Sequence, residues 1–379
     1  MGKQQNMRSL KIVFISDHAC GRAIKQAVVL YRKGYDVTLV SSNIPKGRGG
    51  FTRKINYDSP DELCHVLDLF NDKSIFHVHN EPSWMVTLIR EKYPKARIVF
   101  DVHDSNYWRT TEDWHWYEED TAAALCDAYV FPSSSAKKQF PKHKKPAIVI
   151  PSANPMEYFH YGGWDYYGGI VSEGGHIIPS PDKAGELWRD YTDIYKQLVR
   201  FTDVFVYSAE FLSGSIAQVW RLLVRWRKEA EESGDVSLKL MVRKLEYHLG
   251  MDTKTQLTKY YWDLGVHAVS VSHGALLDRV GQHDWGLCGN LNSAPVWNVA
   301  LPNKFFDYVA GGVPVANFNC PEVAKLIDRH GCGINVQSTD ELKSRWGRYK
   351  DARTRLFLAR HNLAMERFIP RLEKLYGSL

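Results

Sequence analysis

Between residues 11 and 151 the chain alternates short apolar runs with helically spaced segments, and few folds accommodate that pattern. Lys11–Ser16 (KIVFIS), Asp36–Ser42 (DVTLVSS), Ile75–Asn80 (IFHVHN), Arg97–Asp104 (RIVFDVHD), Ala128–Ser133 and Ala147–Pro151 (AIVIP) read as strands. Gly21–Lys33, which stops at Gly34, Asp61–Phe70, Pro82–Lys92 and Glu118–Leu125 carry the spacing of helices between them. Strands that are apolar on both faces and alternate with helices belong to a parallel sheet covered on both sides. Right-handed crossovers then give a doubly wound, Rossmann-like α/β domain.

From Pro151 to Gly175 the composition shifts to Pro, Gly and Tyr, and a second block opens. Asp203–Ala209, Ala268–Ser272, Asp284–Cys288 (DWGLC), Val313–Asn317 (VPVAN) and Gly333–Gln337 (GINVQ) are its expected strands. Helices are expected near Lys183–Arg200, Ile216–Glu232, Thr253–Asp263, Asn303–Ala310 and Pro321–Arg329, and Ala352–Tyr376 reads as one long helix. A length of 379 residues fits two such domains, joined near residues 155–165. Ligands of these sheets bind at the carboxyl ends of the strands. Two of them facing one another suit a transferase with two substrates.

Apolar residues at 44 % and charged residues at 24 % are globular proportions. No apolar run approaches the ~20 residues that cross a bilayer. The start (MGKQQNMRSLKIVFIS) lacks a signal peptide's apolar core, and position 6 is not the Ser or Thr of a myristoylation signal. Six scattered cysteines show neither redox nor zinc spacing, which predicts reduced thiols in a cytoplasmic protein. A net charge of +6 permits an anionic partner without requiring one.

The sharpest segment is Leu301–Glu322, LPNKFFDYVAGGVPVANFNCPE. Pro302 suits a first helical turn. Asn303 and Lys304 open a helix whose unsatisfied N–H groups and dipole favour an anion. Asp307 follows Lys304 by three residues and shares its face, where a carboxylate accepts two hydrogen bonds from a ribose diol. Gly311 and Gly312 end the helix and Val313-Pro314-Val315 starts a strand.

This run resembles the nucleotide-binding segment of the retaining GT-B glycosyltransferases of family 4, written PNKxFEYxAxGxPV. Weaker likenesses follow in order: Gly21-Arg22 through Val40 with its RKGYDVTLV phrase, HVHN at His77–Asn80, and DVHD at Asp101–Asp104. They continue with ALCDAYVFPSSS at Ala124–Ser135, DWGLCG at Asp284–Gly289 and GCGINV at Gly331–Val336. The resemblance implies two Rossmann-like domains facing a cleft. Residues 1–158 would hold the acceptor, 159–351 the nucleotide-sugar, and the 352–379 helix would pack back on the first domain. It implies a UDP- or GDP-linked sugar donor, no further cofactor and no metal. Donor contacts would come from Pro302, Asn303, Lys304, Phe305, Asp307 and Gly286, with His103, Lys304 and Asp307 as the catalytic set. The acceptor side falls to Asp17, His18, Arg22, His79, Asp104 and Trp108. Transfer would retain configuration, the leaving phosphate oxygen taking the acceptor's proton. Catalysis is then positioning and charge stabilisation without a dedicated protein base.

The chain departs from that pattern in three places. The family's first paired Glu falls on Val299, and the second is Asp307, one methylene short. The basic pair after the first strand of the second domain is missing from Tyr167–His176 (YGGIVSEGGH), with Lys304, Arg189 and Lys183 as substitutes. These departures support one rival, a catalytically silent GT-B scaffold; a nucleotide-sugar epimerase is a second rival within the same fold.

Other features carry alternatives. His77 and His79 share a strand face and, with His103 and Asp104, either hold a metal or satisfy core hydrogen bonds; the second is the expectation. No Asp-x-Asp occurs, which speaks against the metal-dependent GT-A class, and no GxGxxG follows the first strand. The basic run Ala136–Pro146 (AKKQFPKHKKP) is a solvated face or a contact for lipid or nucleic-acid phosphates. Val219–Lys228 is a basic amphipathic helix that packs on the second sheet or meets a membrane surface. Trp108, Trp114, Trp116 and Tyr117 form an aromatic stretch suited to stacking on an acceptor. That acceptor is a glycan, a lipid-linked sugar, a small molecule or modified DNA.

Overall fold

The computed structural model describes residues 10–44, 50–79, 82–109, 114–140, 144–160, 166–179, 188–209, 211–212, 214–250, 253–292 and 294–379. Seven strands form the first sheet: β1 (Lys11–His18), β2 (Asp36–Asn43), β3 (Arg53–Asn56), β4 (Ile75–His79), β5 (Arg97–Asp101), β6 (Ala128–Phe131) and β7 (Ala147–Val149). They run parallel in the order β3-β2-β1-β4-β5-β6-β7. Ile12, Val13, Phe14 and Ile15 of β1 are at most 1 % exposed, because helices cover both faces. β3 is not anticipated: its sequence RKIN is polar and half-solvated, as an edge strand can be.

The second sheet holds β8 (Ile170–Glu173), β9 (Val204–Tyr207), β10 (His267–Val269), β11 (Trp285–Gly289), β12 (Val315–Phe318) and β13 (Gly333–Val336). These strands are also parallel, in the order β10-β9-β8-β11-β12-β13. β8 is four residues long and sits inside the Gly- and Tyr-rich connection, so no long apolar run marks it. Strand order reverses between β1 and β4, and again between β8 and β11. Those reversals open a crevice at the strands' carboxyl ends. The turns that leave them, Ala19–Gly21 and Glu173–Gly175, line one cavity between the two sheets.

The expected long final helix is broken. Tyr349–Ala359 is helical, short 3-10 turns cover Arg360–Leu363 and Met365–Arg367, and a new helix spans Ile369–Tyr376. Ala364 is extended at ψ 151°, and Pro370 has no N–H to continue the ladder, so it opens the new helix instead. This last helix lies against the first domain. Glu373 accepts from Lys33 Nζ at 2.7 Å and from Tyr35 Oη at 3.0 Å, and the Tyr376 hydroxyl meets His77 Nδ1 at 2.6 Å.

The amphipathic segment lies in the helix Gly214–Ser233, with Leu223 and Ala230 buried. An unanticipated helix, Val236–Gly250, follows it and leaves Val236, Leu240 and Met241 exposed. Among the described residues no helix is long and apolar enough to cross a membrane. All six cysteines carry free thiols.

Candidate active site

The cavity measures about 720 Å³ and takes walls from both domains. On the second domain it is built on the helix Asn303–Gly311. Pro302 stands just before that helix, extended at ψ 149°, and Gly312 closes it in the left-handed region at φ 76°. The N–H groups of Asn303 and Lys304, both lining the cavity, have no intrahelical acceptor and make an anion-compatible mouth. Lys304 extends from this turn, 9 % exposed. Its Nζ donates to the Tyr191 hydroxyl at 3.1 Å and lies 4.7 Å from that ring's centre. Burial works against its charge, yet Tyr191, Cys288 and Glu173 outweigh burial and raise its pKa.

One turn on, Asp307 is 5 % exposed. Its Oδ1 accepts from Lys25 Nζ at 3.0 Å and from Asn154 Nδ2 at 2.7 Å. Glu173, at the end of β8, hydrogen-bonds to the same carboxylate. Burial and the adjacent Asp307 push the Glu173 carboxyl well above the usual range, while Lys25 overcomes burial and lowers Asp307. The pair therefore shares a proton that resides on Glu173. Glu173 Oε2 is buried and has no hydrogen-bond partner. Lys25 comes from the first domain, Asn154 from the connection and Glu173 from the second domain, so Asp307 ties all three.

The opposite wall carries His103, which follows β5. Its Nδ1 lies 3.7 Å from Asp101 Oδ1 and its Nε2 3.7 Å from Asp104 Oδ2. Burial disfavours its charge, but Asp101, Cys20 and Asp104 outweigh burial and hold its pKa well above 6.5. Beneath it Asp101 is fully buried. Asp101 receives Arg22 Nε at 2.8 and 3.0 Å and Gln26 Nε2 at 3.0 Å, and His77 Nε2 lies 3.4 Å away. His77 and His79 stack on each other at 4.8 Å, and burial keeps both rings uncharged. Ligating atoms of His77, His79 and Asp101 lie within 4.8 Å of one another. The guanidinium of Arg22 already pairs with that carboxylate, while His77 Nε2 and His79 Nε2 are buried without a hydrogen-bond partner.

Of the residues singled out in the sequence, His103, Asp104, Trp108, Pro302, Asn303, Lys304 and Asp307 line the cavity. The others lie elsewhere. Arg22 and His79 are buried below it in the Asp101 cluster. At the end of β1 His18 is solvent-exposed and Asp17 half-buried, with His18 Nδ1 3.1 Å from Asp17 Oδ2. Phe305 is a core residue whose N–H donates to the Pro302 carbonyl at 3.1 Å. Gly286 packs in β11 against the Tyr308 ring, where an added Cβ would lie 2.4 Å from ring atoms. Val299 does line the cavity, although it is 1 % exposed, and its carbonyl accepts from Ser133 Oγ at 2.7 Å. Arg189 packs its guanidinium against the backbone at Gly175, beside the cavity mouth. Lys183 and part of the basic run (residues 141–143) lie outside the described residues, as do the side chains of Trp114 and Trp116.

Lys25, Asn154, Glu173 and Tyr191 escape the sequence reading. One signal existed. Arg22, Lys25 and Gln26 fall at i, i+3 and i+4 in an otherwise apolar helix (GRAIKQAVVLYR), and all are at most 3 % exposed. A polar stripe inside an apolar helix marks charges that find partners in the interior.

No family model and no curated protein matches the sequence. Solved structures do resemble it in fold. An α-glucosyltransferase in complex with UDP-glucose and DNA containing an abasic site matches with a TM-score of 0.55 at 12 % identity, over 97 % of this chain and 99 % of that one. A glycosyltransferase involved in avilamycin A biosynthesis matches at 0.53 and 11 % identity, over 97 % of each chain. A UDP-N-acetylglucosamine 2-epimerase matches at 0.51 and 12 % identity, over 98 % and 97 %. Two facing parallel sheets of seven and six strands are thus the GT-B fold.

Proposed function

We propose that this chain is a retaining glycosyltransferase that moves a sugar from a UDP- or GDP-linked donor to an acceptor hydroxyl, without a metal ion. The observation that carries this is one cavity holding a buried ammonium at a helix N-terminus, Lys304, across from His103, an imidazole that Asp101, Cys20 and Asp104 keep charged against burial. The diphosphate binds at Asn303 and Lys304, where charge and free N–H groups coincide. The Asp307–Glu173 pair, both lining the cavity, receives the ribose hydroxyls. The bond from the anomeric carbon to the phosphate oxygen breaks, and a bond to the acceptor oxygen forms on the same face. The acceptor's proton passes to the departing phosphate. Lys304 stabilises the charge that develops on the phosphate, while Trp108 and Asp104 hold the acceptor. The fold shared with glycosyltransferases supports this reading.

A thermal-shift panel of UDP, GDP and their sugars tests the donor site. A ligand at 100 times its dissociation constant adds about 2.7 kcal/mol. Product analysis by NMR then reads the anomeric configuration, and an inverted linkage would overturn retention. Two observations favour a second reading, a silent GT-B scaffold: Lys25 already pairs with Asp307, and Val299 stands where the family has a carboxylate. Nucleotide binding without turnover of any donor would favour it. Release of an isomerised free sugar, with no acceptor present, would point to an epimerase.

Asp307→Ala weakens donor binding by about tenfold or more, since hydrogen bonds to a charged group contribute ~1.5–3 kcal/mol. Calorimetry with the donor that works checks it, and unchanged affinity removes Asp307 from the ribose site. His103→Gln lowers kcat by roughly 10²-fold, the scale of one electrostatic donor, with a smaller change in KM. The raised pKa of His103 means its charge is complete below about 6.5 and is lost as pH rises through its folded value. Activity therefore falls on the alkaline side in the parent protein, and that limb disappears in His103→Gln. A pH profile identical in both proteins contradicts the assignment.

A further inference from the structure

A second cavity, of about 490 Å³, opens at the carboxyl ends of β11, β12 and β13. Its polar wall is amide throughout: Asn292, Asn298, Asn317, Asn319, Asn335 and Gln337. Trp297 supplies an aromatic wall and lines the first cavity as well, so the two chambers share a partition. Among the described residues lining it, none is charged.

Asn317 is the residue that points to a ligand. It is 3 % exposed, and its Nδ2 donates to the Cys320 carbonyl at 3.1 Å and to Asn335 Oδ1 at 3.0 Å. Asn335 Nδ2 in turn donates to Asp328 Oδ1 at 2.9 Å, which fixes the direction of the chain of amides. Both N–H groups of Asn317 are thus used, and its Oδ1 is buried without a partner. A buried acceptor left empty is costly, and only a donor brought by a ligand or water relieves it. Nearby, the Trp297 ring is held by its Nε1 donating to Asn292 Oδ1 at 3.0 Å.

We infer that this pocket binds a neutral saccharide unit, apart from the donor cavity. Side-chain amides offer a donor and an acceptor side by side, the pattern that a pair of neighbouring sugar hydroxyls complements. The indole wall suits the apolar face of a pyranose ring. An anionic ligand would find no cation here, and a cationic one no carboxylate. The inference does not depend on the transferase reading, because it needs neither a donor nor turnover.

The test is saturation-transfer NMR on the full chain with methyl glycosides of glucose, galactose, mannose and N-acetylglucosamine and their disaccharides. Each is run alone and then with saturating UDP and GDP; uridine and guanosine serve as the nucleoside arm. At least one saccharide is expected to bind and to stay bound under saturating nucleotide. Asn298→Ala and Gln337→Ala, at exposed positions lining the pocket, weaken it by about tenfold as hydrogen bonds are lost. Asn317→Leu removes the orphaned acceptor; should that variant misfold, the two exposed variants carry the test. Absence of saccharide binding across the panel overturns the inference, as does displacement by nucleotide, binding indifferent to the amide variants, or a preference for nucleosides. Failure of the donor reading shows separately, as a missing nucleotide shift.

Discussion

Lys304→Met is expected to lower kcat/KM for the donor by about 10²–10³-fold, the scale of losing one preorganised charge at a developing anion. The size follows from position. The ammonium is 9 % exposed, and Tyr191 holds it both through its hydroxyl and beneath its ring. Charges in such surroundings act far more strongly than in water. Methionine keeps most of the aliphatic stem, so packing against Tyr191 survives and the helix Asn303–Gly311 persists. Steady-state kinetics and donor calorimetry, with circular dichroism as the folding control, read the outcome. A kcat/KM within about threefold of the parent would remove Lys304 from the diphosphate site, since the expected loss is far larger.

Arg22→Met has the largest expected effect on stability. Its guanidinium bonds both oxygens of Asp101, with the two side chains 2 % and 0 % exposed. Removing one partner of a buried pair strands the other and costs about 3–5 kcal/mol. Denaturant unfolding measures it, and a loss below about 1 kcal/mol would show the pair to be no stronger than a surface bridge. Asp101→Leu in the Arg22→Met background recovers much of the loss, because an apolar pair replaces the ionic one. That double variant also deprives His103 of its strongest charge partner. The His103 pKa then falls, visible by NMR titration, and the alkaline limit of activity moves to lower pH. The Asp101 cluster thus ties the interior of the first domain to His103 at the cavity wall.

The overall architecture was legible because buried parallel strands are written as continuous apolar runs. β1, β2, β4 and β5 are such runs. β3 and β8 are not: one is a polar edge strand and the other a four-residue strand among glycines. The helix Val236–Gly250 keeps Leu240 and Met241 in solvent, so its pattern never resolves into a core face. At the site, the PNK segment marks Lys304 and Asp307 because neighbours in sequence are neighbours on one helix face. Lys25 and Asp307 stand 282 positions apart, and no local pattern announces that they meet. Burial of charge is likewise a property of the assembled fold. Arg22 and His79 have the chemistry of contact residues, yet they spend it on Asp101.

The helix Ile369–Tyr376 seals the first domain, and the hydroxyl that meets His77 lies 299 residues downstream of it. During synthesis, β1 through β7 leave the ribosome long before the segment that caps them. The nascent first domain must wait, with the His77 edge of its core uncovered, while the whole second domain is made. Its final consolidation therefore waits until residues 369–376 have emerged. A substitution that removes the Tyr376 hydroxyl would therefore disturb the first domain from a point 299 positions away in the sequence.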